Sequence, residues 1–183
     1  MNLETERLII RNFRESDTED FFEYRSDPQV CRFHGVSAFT REKAEAIIDS
    51  VKDGRFDKPG ETMRLAIELK SEKKVIGDFV SKPENSDAGT IEIGTTFSVK
   101  YGKKGYALEA SVKIITHLFE EKNIRRMIAV MDIENAAAIN LVEKLNFRRE
   151  AEFKESFWDE IKNCWRDEFL YAMLAKDWDK NLK

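Results

Sequence analysis

An α/β fold built on a mixed sheet is what this sequence predicts, and three patterns carry the prediction. Runs with the two-residue period of a strand recur along the chain. Two segments with helical period, Ala107 to Glu121 and Ala136 to Lys144, lie in the second half. With the strands around them they give the order strand, helix, strand, helix, which is that of a βαβ crossover. A chain of 183 residues, 42% hydrophobic, suits one well-cored domain and is too short for two ordinary ones, so residues 1–183 are expected to form a single domain.

Each element has a local reason. Arg7 to Phe13 reads as a first strand. Ser16 or Asp17 then offers a side-chain oxygen to cap a helix through Tyr24. Thr40 is a partial capping signal for a helix to about Lys52, with Lys43 where a capping box wants glutamate. Met63 to Leu69 and Lys74 to Phe79 flank the polar turn Lys70-Ser71-Glu72-Lys73, a hairpin pattern. In Thr90 to Val99, Ile91, Ile93, Thr95 and Phe97 alternate with Glu92, Gly94 and Thr96, as in a strand. From Ala107 to Glu121, Leu108, Val112, Ile115 and Phe119 mark one helix face. Arg126 to Met131 is apolar on both sides from Met127 on, as expected of a strand covered on both faces. Asn135 stands at the N-cap of the Ala136 to Lys144 helix, and Phe147 to Phe153 and Arg166 to Leu174 read as closing strands.

Composition excludes several classes. Charged residues make up 36% and nearly cancel, to a formal net charge of −4. That balance argues against nucleic-acid binding, and basic residues nowhere cluster with aromatics. The N-terminus is charged at once, and no apolar run approaches the ~20 residues a membrane-spanning helix needs. A cytoplasmic protein with no membrane partner is expected. Cys31 and Cys164 stand far apart, without C-x-x-C spacing or a neighbouring histidine, and read as ordinary thiols. No metal site is expected.

The segment Ser98 to Glu109 holds the most functional information. It joins a strand to an amphipathic helix through Tyr101-Gly102-Lys103-Lys104-Gly105-Tyr106-Ala107. Such a loop sets free backbone N–H groups at a helix N-terminus with cations beside them, a recipe for holding a pyrophosphate. A plain strand-to-helix turn with solvated lysines explains the same spacing equally well. Neither G-x-G-x-x-G nor G-K-[ST] is present, so the loop is neither a dinucleotide fingerprint nor a Walker loop.

Gly105-Tyr106-Ala107-Leu108-Glu109-Ala110, following Glu92-Ile93-Gly94, resembles the acetyl-CoA pyrophosphate loop of the GCN5-related N-acetyltransferases (GNAT). The subgroup it is similar to is the ribosomal-protein-alanine acetyltransferase type. The likeness extends in order over Leu3 to Arg11, Ser26 to Val30, Val75-Ile76-Gly77, Asn135 to Phe147 and Arg166 to Leu174. It implies a mixed, mostly antiparallel sheet of about seven strands, with splayed central parallel strands and helices on both faces.

The resemblance implies acetyl-CoA as cofactor, lying where the strands Thr90 to Val99 and Arg126 to Met131 part. Backbone groups near Phe97 and Val99 would pair with the pantetheine arm like an added strand. Lys103, Lys104, Gly105, Tyr106 and Ala107 would hold the pyrophosphate. Asn135 would reach the cofactor from the other side, although a helix cap explains it as well. An acceptor amine, with a pKa of ~8 to ~10, must lose a proton before it attacks the thioester. Glu92 is the candidate general base, on the strand face opposite Ile91 and Ile93, and an exposed or salt-bridged strand residue is the alternative. A strand N–H near Phe97 would stabilise the oxyanion.

The chain departs from the family where the departing thiolate would be protonated. Relatives often place tyrosine where this chain has Val142, or serine where it has Ala138. Asn146 replaces the usual glycine before Phe147, and Gly102 takes the first loop position, usually glutamine or arginine. His34 is a candidate acceptor-side residue, whereas His117 reads as structural. Phe153, Phe157, Trp158 and Trp165 favour core packing, with an acceptor pocket second.

The implied activity is acetyl-CoA-dependent transfer of an acetyl group to a primary amine by direct attack on the thioester. The acceptor is a protein N-terminal α-amine or a small-molecule amine, and assembly as a homodimer is left open. The alternative is a non-catalytic acyl-CoA-binding protein of the same fold. A nucleotide-binding module is disfavoured by the missing phosphate-loop signatures.

Overall fold

The structure, a computed structural model, describes residues 1–33, 39–54, 62–84, 89–179 and 182. Alternating apolar residues build eight strands: β1 (Asn2–Glu4), β2 (Leu8–Asn12), β3 (Met63–Leu69), β4 (Lys74–Pro83), β5 (Thr90–Phe97), β6 (Arg126–Asp132), β7 (Arg148–Asp159) and β8 (Cys164–Leu174). They pair as one sheet in the order β1-β2-β3-β4-β5-β6-β8-β7. Every pairing is antiparallel except β5 with β6. Five helices accompany the sheet among the described residues: α1 (Thr18–Arg25), α2 (Pro28–Cys31), α3 (Arg41–Val51), α4 (Tyr106–Glu121) and α5 (Ala136–Lys144).

Side-chain alternation sends two apolar sets to opposite faces. One core joins Leu8, Ile10, Leu65, Ile67, Phe79 and Ile93 to Ile114, Ile115 and Leu118 of α4 and Val142 of α5. The other packs Phe13, Phe21, Tyr24, Phe39, Ala44 and Ile48 against Ala66 and Val75, beneath α1 and α3. Helices therefore cover both faces, as expected. Among the described residues no helix is long and apolar enough to cross a membrane.

Several elements differ from their sequence reading. The expected first strand is preceded by β1, which folds back on β2 through a turn closed by Thr5 N–H donating to Leu8 O at 3.0 Å. This adds the eighth strand. The expected strand Thr90 to Val99 ends at Phe97, and Val99 opens a 3₁₀ turn, Val99–Tyr101. The last two strands run on into a long hairpin. Its Phe153, Trp158 and Trp165 are exposed, Trp165 at 56%, so the core role expected of them is wrong. Trp158 and Trp165 pair directly across the strands, and their edge-to-face contact, 5.4 Å between ring centroids, stands in place of burial in a core.

Asn146, where glycine is usual, takes φ 59° just after α5. Its N–H donates to Glu143 O at 3.0 Å and the Phe147 N–H to Val142 O at 2.9 Å, a Schellman cap that asparagine tolerates.

Candidate active site

The sheet comes apart at one place. β5 and β6 pair in parallel only at Thr90–Arg126, Ile91–Met127 and Glu92–Ile128. Beyond Glu92, β5 stays with β4 as far as Phe97, while β6 stays with β8 as far as Asp132. A wedge-shaped gap opens between them, with Glu92 at its apex. The Ser98 N–H donates to Ile76 O of β4 at 2.9 Å. Backbone groups alternate between edges along a strand, so those of Thr95 and Phe97 face the gap. An extended ligand arm can be received there as an added strand.

The loop after β5 leads to the start of α4. Gly105, with φ 83°, is the N-cap of that helix and brings no side chain to its first-turn N–H groups. Lys103 holds φ 60°, and Lys103 and Lys104 are both exposed. Small Ala107 follows half-buried Tyr106 in the first turn. The result is a bare, positively polarised helix end flanked by two cations, which fits the phosphates of a coenzyme.

The loop is held from outside by residues that sequence reasoning passed over. Arg7, between β1 and β2, donates through Nη1 to Lys104 O at 3.0 Å and lies 4.4 Å from the Tyr106 ring centroid. Its Nη2 is 2.6 Å from Glu109 Oε2, and the Thr5 hydroxyl donates to Glu109 Oε1 at 2.5 Å. Burial alone would raise the Glu109 pKa, but hydrogen bonds from Thr5 and Arg7 hold it below its ordinary value. The only hint in the sequence was that Thr5 and Arg7 belong to the opening segment of the family resemblance.

Across the gap, Asn135 caps α5, its Oδ1 accepting from Ala138 N–H at 3.1 Å. Its amide NH₂ has no partner among the described residues. Glu92 shares its strand face with Thr96 and Asp78 and is half-buried, and its carboxylate has no hydrogen bond or ion pair among the described residues. The structure thus brings Glu92, Phe97, Lys103, Lys104, Gly105, Tyr106 and Ala107 to the gap and the loop at its end, with Asn135 beyond the opposite strand. Val99 stands outside the strand edge and its carbonyl accepts from Gly102 N–H, at 3.0 Å. Val142 is 7% exposed and belongs to the core. His34 lies outside the described residues.

Next to the gap is a cavity of about 420 Å³, lined by Ser26, Pro28, Cys31, Phe39, Asp159 and Ile161, with Arg32 and Lys162. Its walls are tied to both diverging strands. Phe39 lies 5.4 Å from the Arg25 guanidinium, whose Nη1 donates to Thr96 Oγ1 of β5 at 2.8 Å. Asp159 meets Arg166, which pairs with Asp132 at the end of β6.

The neighbouring strand contributes a fixed support. Gly77 of β4 lies opposite Phe97, and a Cβ there would stand 2.6 Å from Thr96 O and 2.8 Å from the Phe97 ring. Asp78, 1% exposed, accepts from Tyr24 Oη at 2.8 Å and pairs with Arg64. Burial and the facing Asp78 push the Tyr24 pKa well up, so the phenol stays a donor.

Comparison with known proteins agrees with this geometry. Residues 7–148 match the family model described as an acetyltransferase (GNAT) domain. An uncharacterized N-acetyltransferase of Bacillus subtilis, YnaD, is 34% identical over 98% of this chain and 100% of its own length. The Escherichia coli [ribosomal protein uS5]-alanine N-acetyltransferase is 27% identical over 67% of this chain and 63% of its own. Among solved structures, a GNAT-family acetyltransferase from Bacillus anthracis superposes with a TM-score of 0.85 at 31% identity, covering 96% of this chain and 99% of that one. Mycobacterium smegmatis RimJ, solved with CoA-disulfide, shares the fold with a TM-score of 0.78 at 19% identity, covering 92% of this chain and 82% of its own. The split sheet, the bare helix start and these likenesses agree: the chain belongs to the GNAT family and is an acetyltransferase.

Proposed function

We propose that this acetyltransferase takes its acetyl group from acetyl-CoA and passes it to a primary amine that attacks the thioester directly. The parting of β5 and β6 at Glu92, with the bare start of α4 at the end of the β5 loop, carries this reading. When bound, acetyl-CoA supplies the activated acyl group. The Gly105–Ala107 amides, with Lys103 and Lys104, bind its pyrophosphate. The strand edge at Thr95 and Phe97 holds the pantetheine arm, and the N–H groups there meet charge developing on the carbonyl oxygen. The free amide of Asn135 donates from the far side. Glu92 removes the amine's proton, directly or through one water.

The acceptor occupies the cavity beside the gap. The likeness to an enzyme named for alanine in ribosomal protein uS5 supports an N-terminal α-amine as acceptor. A small-molecule amine fits the cavity volume equally. One observation favours a second reading, an acyl-CoA-binding protein without turnover: Val142 is apolar and buried in the core, at the position where the family resemblance implies a tyrosine hydroxyl. A thiolate of pKa ~8.5 leaves near neutral pH without an enzyme acid, so we favour catalysis.

Calorimetric titration with acetyl-CoA, followed by thiol release across amines and N-terminal peptides, tests both. Micromolar binding with release on some amine is expected. No binding removes acetyl-CoA as donor, and binding without release on any acceptor selects the second reading.

A further inference from the structure

Two aspartates on the β6-β8-β7 half of the sheet each fold their own loop. Asp132, the last residue of β6, accepts the Glu134 N–H at 2.7 Å, and its carbonyl accepts the Asn135 N–H at 2.9 Å. It shapes the turn that presents Asn135. Asp159, the last residue of β7, accepts the N–H groups of Ile161 and Lys162 at 2.9 Å and 3.0 Å. It shapes the hairpin tip that walls the cavity.

Both aspartates are buried, and both reach one guanidinium. Arg166 Nη2 lies 2.8 Å from Asp132 Oδ1 and 2.7 Å from Glu134 Oε2, while Nη1 lies 3.5 Å from Asp159 Oδ2. Arg166 is itself buried. A buried guanidinium keeps its charge and its planar fork, so a carboxylate that leaves it strands two charges away from water. Lys162 adds an outer tie to Glu134 at 3.2 Å, exposed and therefore weak. The hairpin tip and the Asp132–Asn135 turn are thereby linked through one buried side chain, with only the exposed Lys162 pair beside it among the described residues.

We propose that Arg166 is a positioning residue that couples the Asn135 turn to the β7–β8 hairpin tip, so that coenzyme binding beside Asn135 orders the tip that walls the acceptor cavity. This rests on the coenzyme reading given above. Such coupling is reciprocal: an acceptor in the cavity then tightens coenzyme binding by the same factor.

Peptide-resolved hydrogen–deuterium exchange, with coenzyme A as the probe, tests the link. In the native protein, saturating coenzyme A is expected to slow exchange of residues 159–163 by about threefold or more. In Asp159→Asn the side-chain oxygen still accepts both N–H groups, so the tip turn survives and only its charge link is cut. That variant is expected to bind coenzyme A within about twofold of native while the slowing at the tip disappears. Arg166→Lys, which keeps the charge and loses the fork, is expected to retain part of the slowing. A purely structural role would speed exchange equally with and without the probe, leaving the ratio unchanged. Native protein that binds coenzyme A with no change at the tip, or slowing that persists undiminished in Asp159→Asn, overturns the coupling. A native protein that fails to bind coenzyme A removes the coenzyme reading, and the coupling with it.

Discussion

Arg7 and Glu109, 102 residues apart in the chain, lock the N-terminal hairpin to the first turn of α4. The Arg7 Nε donates to Glu109 Oε2 at 2.7 Å, and the Arg7 N–H donates to Oε1 at 3.0 Å. The same guanidinium holds Lys104 O and covers Tyr106, so it sets the shape of the loop proposed to bind pyrophosphate. Arg7→Ala should therefore weaken acetyl-CoA binding by about tenfold, the size of one or two charge-assisted hydrogen bonds. Calorimetry checks this, with unchanged far-UV dichroism as the control for folding.

Glu109 also gives the lock a pH dependence. Its pKa lies below the ordinary 4.5 in the folded state, so its contribution is fully present above that value and is lost as pH falls through the folded pKa. Glu150, paired with Arg126 and Arg148, is drawn down to about 2 and acts in the same direction. Stability should fall between about pH 5 and pH 2. Glu109→Gln should flatten that fall, as measured by urea unfolding across the range.

Of the two glycines between β5 and α4, Gly105 alone has a left-handed backbone, at φ 83°, and a Cβ there would lie 3.4 Å from Arg7 Nη2. Gly105→Ala should cost about 1–2 kcal/mol from backbone strain. Gly105→Asp should abolish acetyl-CoA binding, because a carboxylate would face the phosphates at a helix start. Wild-type affinity in that variant would take the loop out of the site.

Glu92 is tested by its pH profile. Glu92→Gln should lower kcat/KM by about 10²-fold near pH 7 and progressively less toward the amine's own pKa, where the acceptor needs no base. A uniform loss across pH would assign Glu92 to binding, and no loss would dismiss it.

Gly77 tests the support beneath the splayed strand. Gly77→Ala forces a Cβ against the Thr96 carbonyl and the Phe97 ring. A cost of about 2 kcal/mol is expected from overpacking, with Tm lower by about 4–8 °C in a chain of this size. Acetyl-CoA affinity should fall as well, because Phe97 cannot keep its place.

Much of the fold was legible because its cause is local. The hairpin around Lys70–Lys73, the two helices after β5 and β6, and the Asn135 cap all follow from side-chain period and capping chemistry. The loop glycine at 105 was legible for the same reason: the positive φ it adopts is one that glycine allows without strain. The surface placement of Trp158 and Trp165 was not legible, because an aromatic pair across a hairpin has the same pattern whether or not another layer covers it.

By itself, the sequence determined most of the strands and helices in order, the Thr40 and Asn135 caps and the glycine at the start of α4, since these depend on neighbours a few residues apart. Only the tertiary structure decided where β5 and β6 part, that Thr5 and Arg7 clamp Glu109, and that Asp132 and Asp159 share Arg166. Those relationships join residues distant in the chain, and no local periodicity encodes which buried charges meet once the sheet has closed over them.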